Sequence, residues 1–75
     1  MARKLRFAGK LNLYRRMKDM TIVEMASKVR VPAKTLERLL TGENAPSAGH
    51  LVRIMNGLQI CFDPEDFEKE ALQHA

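Results

Sequence analysis

The stretch TIVEMASKVRVPAKTLERLLTG, residues 21–42, decides the fold because it holds two amphipathic helix patterns with a proline between them. Thr21 offers a side-chain oxygen as N-cap, and Glu24 three residues later completes the pattern of a capping box. Behind this cap, apolar residues follow the i, i+3, i+4, i+7 spacing of one buried helix face: Ile22, Met25, Ala26 and Val29. The pattern predicts a helix over 22–29.

Pro32 separates this helix from the next one. A proline disfavours helical geometry in the residue before it, so we expect a turn at Arg30 and Val31. The fixed φ of Pro32 suits the first turn of a new helix, and Gly42 is a typical residue for its end. Its apolar face consists of Leu36, Leu39 and Leu40. The sequence therefore predicts two short helices joined by a tight turn, the second over 32–41.

Three further helices are expected on either side of this pair. The first runs from about residue 5 to residue 17, with one broad apolar stripe: Phe7, Leu11, Leu13, Tyr14 and Met17. The fourth follows Ser47 as N-cap, and its buried spacing is Leu51, Ile54, Met55 and Leu58. The fifth begins with Asp63 as cap and Pro64 at the first helical position. No strand pattern is present, so we predict an all-α, compact five-helix domain spanning residues 1–75.

The net charge of +4 is unevenly distributed along the chain. Residues 1–20 carry seven cations against Asp19 alone, a balance of +6, whereas the chain from Pro46 onward has a balance of −3. We expect the first end to attract polyanions and the second to stay away from them. A solvated basic face with no partner is the alternative.

Other classes of protein fit the sequence poorly. No apolar run approaches the roughly 20 residues of a membrane span, and charges interrupt any secretory signal after the basic start, so we expect a cytoplasmic location. The single cysteine, Cys61, excludes an internal disulfide and is expected to be a small buried apolar residue. Neither a nucleophile with a base nor a phosphate-cradling glycine loop is visible. We expect no enzyme activity, no metal, no cofactor and no small-molecule effector.

The second helix of the pair presents a polar face opposite its leucines. Helical spacing of 100° per residue collects five residues on that arc: Ala33, Lys34, Glu37, Arg38 and Thr41. A DNA major groove about 12 Å wide admits one helix, and lysine or arginine can donate to the O6 and N7 acceptors of guanine. Any amphipathic surface helix also turns polar residues outward, so this face alone leaves both interpretations open.

From about residue 7 to residue 63 the sequence resembles the Xre/Cro-type helix-turn-helix domains of phage repressors and small bacterial regulators. The residues that carry the resemblance are Gly9, Arg15, Met20, Thr21, Met25, Ala26, Val31, Leu36, Leu39, Gly42, Pro46, Ser47, Leu51, Ile54 and Leu58. The resemblance implies a lambda-repressor-like fold that binds double-stranded DNA. It also implies that residues 32–41 form the recognition helix.

Carried over position by position, the resemblance places Ala33, Lys34 and Arg38 against base edges, with Glu37 and Thr41 at the margin. It implies phosphate contacts at the start of the second helix and after the third, for which we select Thr21, Ile22, Thr35 and Asn44. Hydroxyl, amide and backbone N–H groups would be the donors there.

Three positions depart from the family pattern. Ile22 stands where relatives commonly have glutamine, so only its backbone N–H remains as a donor. Arg30 replaces the usual turn glycine, and a positive φ there would cost roughly 1 kcal/mol, although its side chain would be placed to touch a phosphate. Leu40 stands where many relatives carry a glutamate that pairs with the arginine matching Arg15. Arg15 is then either a surface residue or a phosphate contact.

The sequence also supports predictions for the basic N-terminal and the acidic C-terminal residues. The basic residues Arg3, Lys4 and Arg6 resemble the arms by which some relatives reach around the duplex or into its minor groove, and a weakly attracted tail is the alternative. At the acidic end, residues 62–75, apolar side chains are expected to form a homodimer interface: Phe62, Phe67, Ala71 and Leu72. Packing of the two phenylalanines on their own domain is the alternative.

The leading hypothesis is a sequence-specific transcriptional regulator, a repressor that binds an inverted repeat as a homodimer without a cofactor. One rival is an antitoxin-like protein whose main partner is another protein. The other rival is a nonspecific DNA-binding protein.

Overall fold

A computed structural model describes residues 4–68 of the chain. It contains four α-helices followed by a one-turn 3-10 helix: α1 Arg6–Met17, α2 Ile22–Val29, α3 Ala33–Thr41, α4 Ala48–Leu58, and the 3-10 helix Pro64–Phe67. The all-α class is confirmed, but the predicted count of five helices is not matched within residues 4–68, where the fifth element is a 3-10 turn. Within the described residues, no helix is long and apolar enough to cross a membrane.

The predicted fifth helix stops after one turn because the chain there pairs with the start of α1. Glu68 adopts an extended conformation, with φ −88° and ψ 147°. Its carbonyl accepts a hydrogen bond of 3.1 Å from the N–H of Arg6, one of the groups that a helix N-terminus leaves without an intrahelical partner. Asp63 and Pro64 hold the predicted cap and first helical positions.

The ends of α2 and α4 follow the sequence signals. The N–H of Thr21 donates to the Glu24 carboxylate at 2.8 Å, and the N–H of Glu24 donates to the Thr21 hydroxyl at 3.1 Å, so the capping box is confirmed. Ser47 caps α4 by accepting from the N–H of His50 at 3.2 Å. These short-range bonds satisfy N–H groups that the helices cannot satisfy themselves.

The start of α3 differs from the prediction by one residue, and its end does not. Pro32 is the residue before the helix rather than its first residue, because its ψ of 139° is extended. Gly42 ends the helix in the left-handed region with φ 82°, as predicted. A Cβ atom on Gly42 would lie 2.8 Å from the Cβ of Lys4, so both the conformation and the close approach require glycine.

The core lies between the four α-helices. Its buried apolar residues are Leu5, Phe7, Ala8, Leu11, Met25, Ala26, Val29, Val31, Leu36, Leu39, Leu40, Ile54 and Leu58. On α1 the predicted stripe is too broad, since Leu13 is 57% exposed and Met17 is 72% exposed. The helix packs on α3 and on the 3-10 helix, and these neighbours cover the side that carries Phe7 and Leu11.

An aromatic cluster attaches the end of the described chain to α1. The ring of Phe7 lies 4.7 Å from that of Phe62 and 5.5 Å from that of Phe67, centroid to centroid. Between the core-packed residues Ile60 and Phe62, Cys61 is exposed, so its predicted burial is wrong. Side chains of an extended segment alternate in direction, and the two larger neighbours take the core side.

Candidate nucleic-acid interface

The turn between α2 and α3 is held in a fixed shape by backbone hydrogen bonds. Arg30 ends α2 in the left-handed region, with φ 58° and ψ 42°, and its N–H donates to the carbonyl of Ala26. The N–H of Val31 donates to the same carbonyl at 3.2 Å, and its side chain is 3% exposed. Arg30 therefore has the positive φ for which relatives use glycine, at a cost of roughly 1 kcal/mol.

The leucines of α3 fix which side of this helix faces outward. Leu36, Leu39 and Leu40 are 0%, 5% and 8% exposed. The five predicted base-contacting residues are all exposed: Ala33, Lys34, Glu37, Arg38 and Thr41. The structure therefore brings the whole predicted set together on one outward surface, which we call the α3 outer face.

The α3 outer face has two unpaired cations within the described residues. The ion pairs recorded between residues 4 and 68 involve Arg6 and Lys10, and neither Lys34 nor Arg38 has a carboxylate partner there. The Thr41 hydroxyl donates to the Arg38 carbonyl at 2.6 Å, so its proton is already engaged. Thr41 can offer an incoming ligand only an acceptor in this arrangement.

The N-terminus of α2 retains less hydrogen-bonding capacity than the sequence predicts. The backbone N–H of Thr21 donates to the Glu24 carboxylate at 2.8 Å, and this bond is the main cause that lowers the pKa of Glu24 below its ordinary 4.5. Only the Thr21 hydroxyl proton remains to be donated. Ile22 is half-buried against the core, and helix geometry leaves its N–H without an intrahelical partner.

The remaining predicted phosphate contacts differ in their accessibility. Asn44 is exposed in the loop after α3, whereas Thr35 is half-buried in the first turn of that helix. Arg15 is also half-buried; its Nη1 donates to the carbonyl of Met20 at 3.2 Å, and its buried Nε has no hydrogen-bond partner among the described residues. Arg15 thus stabilises the connection from α1 to α2.

One of the basic N-terminal residues, Lys4, lies next to the end of α3. The N–H of Leu5 donates to the carbonyl of Gly42 at 3.0 Å, which brings exposed Lys4 beside this turn. Arg6 is the first residue of α1 rather than part of a preceding arm, and its guanidinium lies 3.9 Å from the Glu65 carboxylate. Arg3 lies outside the described residues.

The predicted dimer residues are only partly within the described chain. Phe62 and Phe67 are half-buried and pack on Phe7 of their own domain. Ala71 and Leu72 lie outside the described residues.

Two basic residues that the sequence analysis did not select lie beside Arg30. Lys28 of α2 and Arg53 of α4 border the same cavity as Arg30, with a volume of about 330 Å³. These residues come from separate helices, so no sequence spacing links them. Only the packing of α2 against α4 brings them together.

Comparison with known proteins agrees with this architecture. A helix-turn-helix family model matches residues 11–62, which include α2, α3 and α4 in full. No curated protein and no solved structure shows a significant match to the chain. The match covers more than half of the chain and contains the complete α3 outer face. The chain therefore belongs to the Xre/Cro-type helix-turn-helix family of DNA-binding regulators.

Proposed function

We propose that this protein is a transcriptional repressor that binds an inverted-repeat operator as a homodimer. The observation that carries the proposal is the α3 outer face, where Lys34 and Arg38 are exposed while three leucines anchor the opposite side of the helix. An anchored helix with outward donors has the shape and chemistry that major-groove reading requires.

Each residue of the α3 outer face has a distinct part in base reading. Arg38 and Lys34 donate to the O6 and N7 atoms of guanine, and Arg38 can do so with two parallel hydrogen bonds. Ala33 permits close approach and offers its methyl group to thymine. Glu37 can accept from cytosine N4, and Thr41 offers an oxygen acceptor. Guanine is therefore expected at the positions that face the two cations.

Phosphate contacts on both sides of the groove hold this helix in register. The donors proposed for them are Thr21, Ile22, Thr35, Asn44, Arg15 and Arg30. Thr21, Arg30 and Asn44 are exposed, whereas the other three are half-buried. Lys4, beside the end of α3, extends the basic surface toward the DNA backbone, with Arg3 as the other arm residue and Arg6 at the start of α1. Such contacts position the protein but carry no direct sequence information.

Dimerisation supplies a second recognition helix, which binds the second half-site of the operator. One recognition helix reads few base pairs, and two-fold related domains bind half-sites about 34 Å apart. We assign the interface to Phe62, Phe67, Ala71 and Leu72. The acidic balance of this end keeps it away from DNA. In this scheme the dimer occupies its operator and excludes the transcription machinery, and occupancy follows the concentration of the protein itself.

Fluorescence anisotropy with a labelled duplex tests the binding function. Titrations at several salt concentrations should give a steep negative slope of log K against log salt, because each neutralised phosphate contributes about −0.9. An absence of duplex binding at low salt would contradict the proposal.

Sedimentation with and without a selected operator tests the homodimer separately. A dimer on DNA is expected, and a monomer at micromolar concentration in both conditions would exclude dimeric binding.

A further inference from the structure

We propose that the cavity between α2 and α4 is a phosphate-binding site. Its lining consists of Lys28, Val29, Arg30, Arg53, Asn56 and Gly57. Its volume of about 330 Å³ lies at the lower end of the range for ligand pockets, roughly 300–1,000 Å³. The cavity therefore suits a small anion or a single phosphate group of a larger molecule. It lies apart from the α3 outer face.

The three cations that border this cavity have no carboxylate to neutralise them within residues 4–68. Helix α4 contains no Asp or Glu, and the one acidic residue of α2 is Glu24. Glu24 stands one turn before Lys28, but its carboxylate accepts from the N–H of Thr21 at the far end of the helix. The ion pairs recorded in the described chain involve other residues.

The helix dipoles of α2 and α4 do not neutralise the three positive charges around the cavity. The cavity lies near the C-terminal ends of α2 and α4, and each helix end carries the equivalent of about −0.5 charge. Two such ends offset about one of the three positive charges. The cavity therefore keeps a net positive charge, which favours an anion.

The backbone around the cavity is fixed rather than adaptable. A Cβ atom on Gly57 would lie 2.8 Å from the carbonyl oxygen of Lys28 and 2.9 Å from the Cα of Val29, so α4 packs directly on the backbone of α2. Arg30 holds the left-handed conformation that relatives give to glycine. A non-glycine residue in this region carries strain that is often found at functional positions. Here the strained residue lines the cavity.

The expected ligand geometry follows from the chemistry of the lining. Arg30 and Arg53 can each form paired hydrogen bonds to phosphate oxygens, and Lys28 adds a point charge. The Asn56 amide can donate a further hydrogen bond. Because Arg30 lies two residues before Pro32, a bound phosphate would join α4 to the turn that leads into α3. The phosphate can come from a free anion or from the duplex backbone, and only the second source rests on the proposed function.

A titration with inorganic phosphate, followed by ¹H–¹⁵N NMR without DNA at constant ionic strength, tests the site. Saturable shifts are expected at Arg30, Arg53, Asn56 and Gly57. Arg53→Gln should weaken this binding roughly tenfold, the effect of losing one hydrogen bond to a charged group. Arg16→Gln, which removes the same charge from the exposed face of α1, should leave it unchanged.

Two results would contradict the proposed phosphate-binding site. One is an absence of saturable shifts in the wild-type protein. The other is equal shifts at the cavity and at Lys34 and Arg38, which would show only general screening of cations. Circular dichroism must show that Arg53→Gln remains folded, and Arg53→Lys provides a second variant that keeps the charge but loses the paired geometry. It should bind phosphate less tightly than the wild type; equal affinity would contradict the paired arrangement.

Salt titrations of duplex binding identify the source of the phosphate. If Arg53→Gln makes the negative slope of log K against log salt shallower by about 0.9, the site binds one phosphate of the duplex. An unchanged slope together with retained phosphate binding by the wild type identifies a free anion as the ligand. A protein that binds phosphate at this cavity but binds no duplex would contradict the proposed function alone.

Discussion

At the scale of single residues, the two arginines of the central region have different tasks. Arg15 uses Nη1 to hold the connection after α1, whereas Arg30 ends α2 with a strained backbone and an exposed side chain. The family pattern has a glycine at the position of Arg30. Arginine at this position adds backbone strain, and it also places a positively charged residue beside the cavity.

Arg30→Gly should raise the free energy of unfolding by about 1 kcal/mol, because glycine adopts a positive φ without the steric cost of a side chain. The control is Gln59→Gly, since Gln59 ends α4 with the same φ of 58°. Urea denaturation measures both. Both variants should be stabilised, and only Arg30→Gly should lose phosphate affinity. A lower denaturation midpoint for both would contradict the strain argument.

At the scale of secondary-structure elements, the capping box of α2 is the clearest local determinant. Thr21→Ala removes the hydroxyl that accepts from the N–H of Glu24 and should destabilise the protein by about 0.5–2 kcal/mol. Thermal denaturation measures the loss. Thr41→Ala, at an exposed helix end, is the control. If Thr21→Ala destabilises the protein no more than Thr41→Ala does, the cap does not stabilise α2 as proposed.

The same capping box predicts a pH dependence of stability. The pKa of Glu24 lies below its ordinary 4.5 in the folded protein, so the ionised carboxylate favours folding. This contribution is complete above pH 4.5 and is lost as the pH falls through the lowered value. Glu24→Gln should therefore differ from the wild type in Tm by a constant amount near neutrality and by less in acid. A difference that grows on acidification would contradict the assignment.

The two faces of α1 give a direct test of its packing. Leu11→Ala, at a fully buried position, should cost about 2–5 kcal/mol. Leu13→Ala, at a position that is 57% exposed, should change stability by no more than about 0.5 kcal/mol. Urea denaturation measures the free energy of unfolding of both variants. Similar decreases for both would show that Leu13 is part of the buried face, as the sequence predicted.

Local signals explain which elements the sequence predicts well. The bounds of α2 and the caps of α2 and α4 depend on residues three or four positions apart, and Gly42 ends α3 by its own conformational preference. The burial of Leu13 and Cys61 depends on neighbours distant in sequence. Periodicity therefore gave the wrong result for Leu13, and the usual burial of free cysteine gave the wrong result for Cys61. The cavity formed by Lys28, Arg30 and Arg53 required the packing of α2 on α4, which no local pattern contains.

At the scale of the whole molecule, the basic and acidic parts of the chain lie against each other, because Arg6 lies 3.9 Å from Glu65 and Lys10 lies 3.3 Å from Asp66. The proposed DNA-binding surface therefore depends on the α3 outer face rather than on a separation of charge along the chain. The family resemblance predicts that residues 32–41 form the recognition helix, and the structure gathers the outward residues of α3 on one face. In the proposed function, the pairing of two such faces on one duplex gives this small domain its specificity for an operator.

Selection from a random duplex library, carried out in parallel with the wild type, Arg38→Ala and Asn44→Ala, tests the central claim that the α3 outer face reads bases. The wild type should enrich an inverted repeat. Arg38→Ala should cost roughly 1–3 kcal/mol and relax one base position in each half-site, whereas Asn44→Ala should weaken all sites alike. The absence of an enriched motif, or a uniform loss across all sequences for Arg38→Ala, would contradict the account.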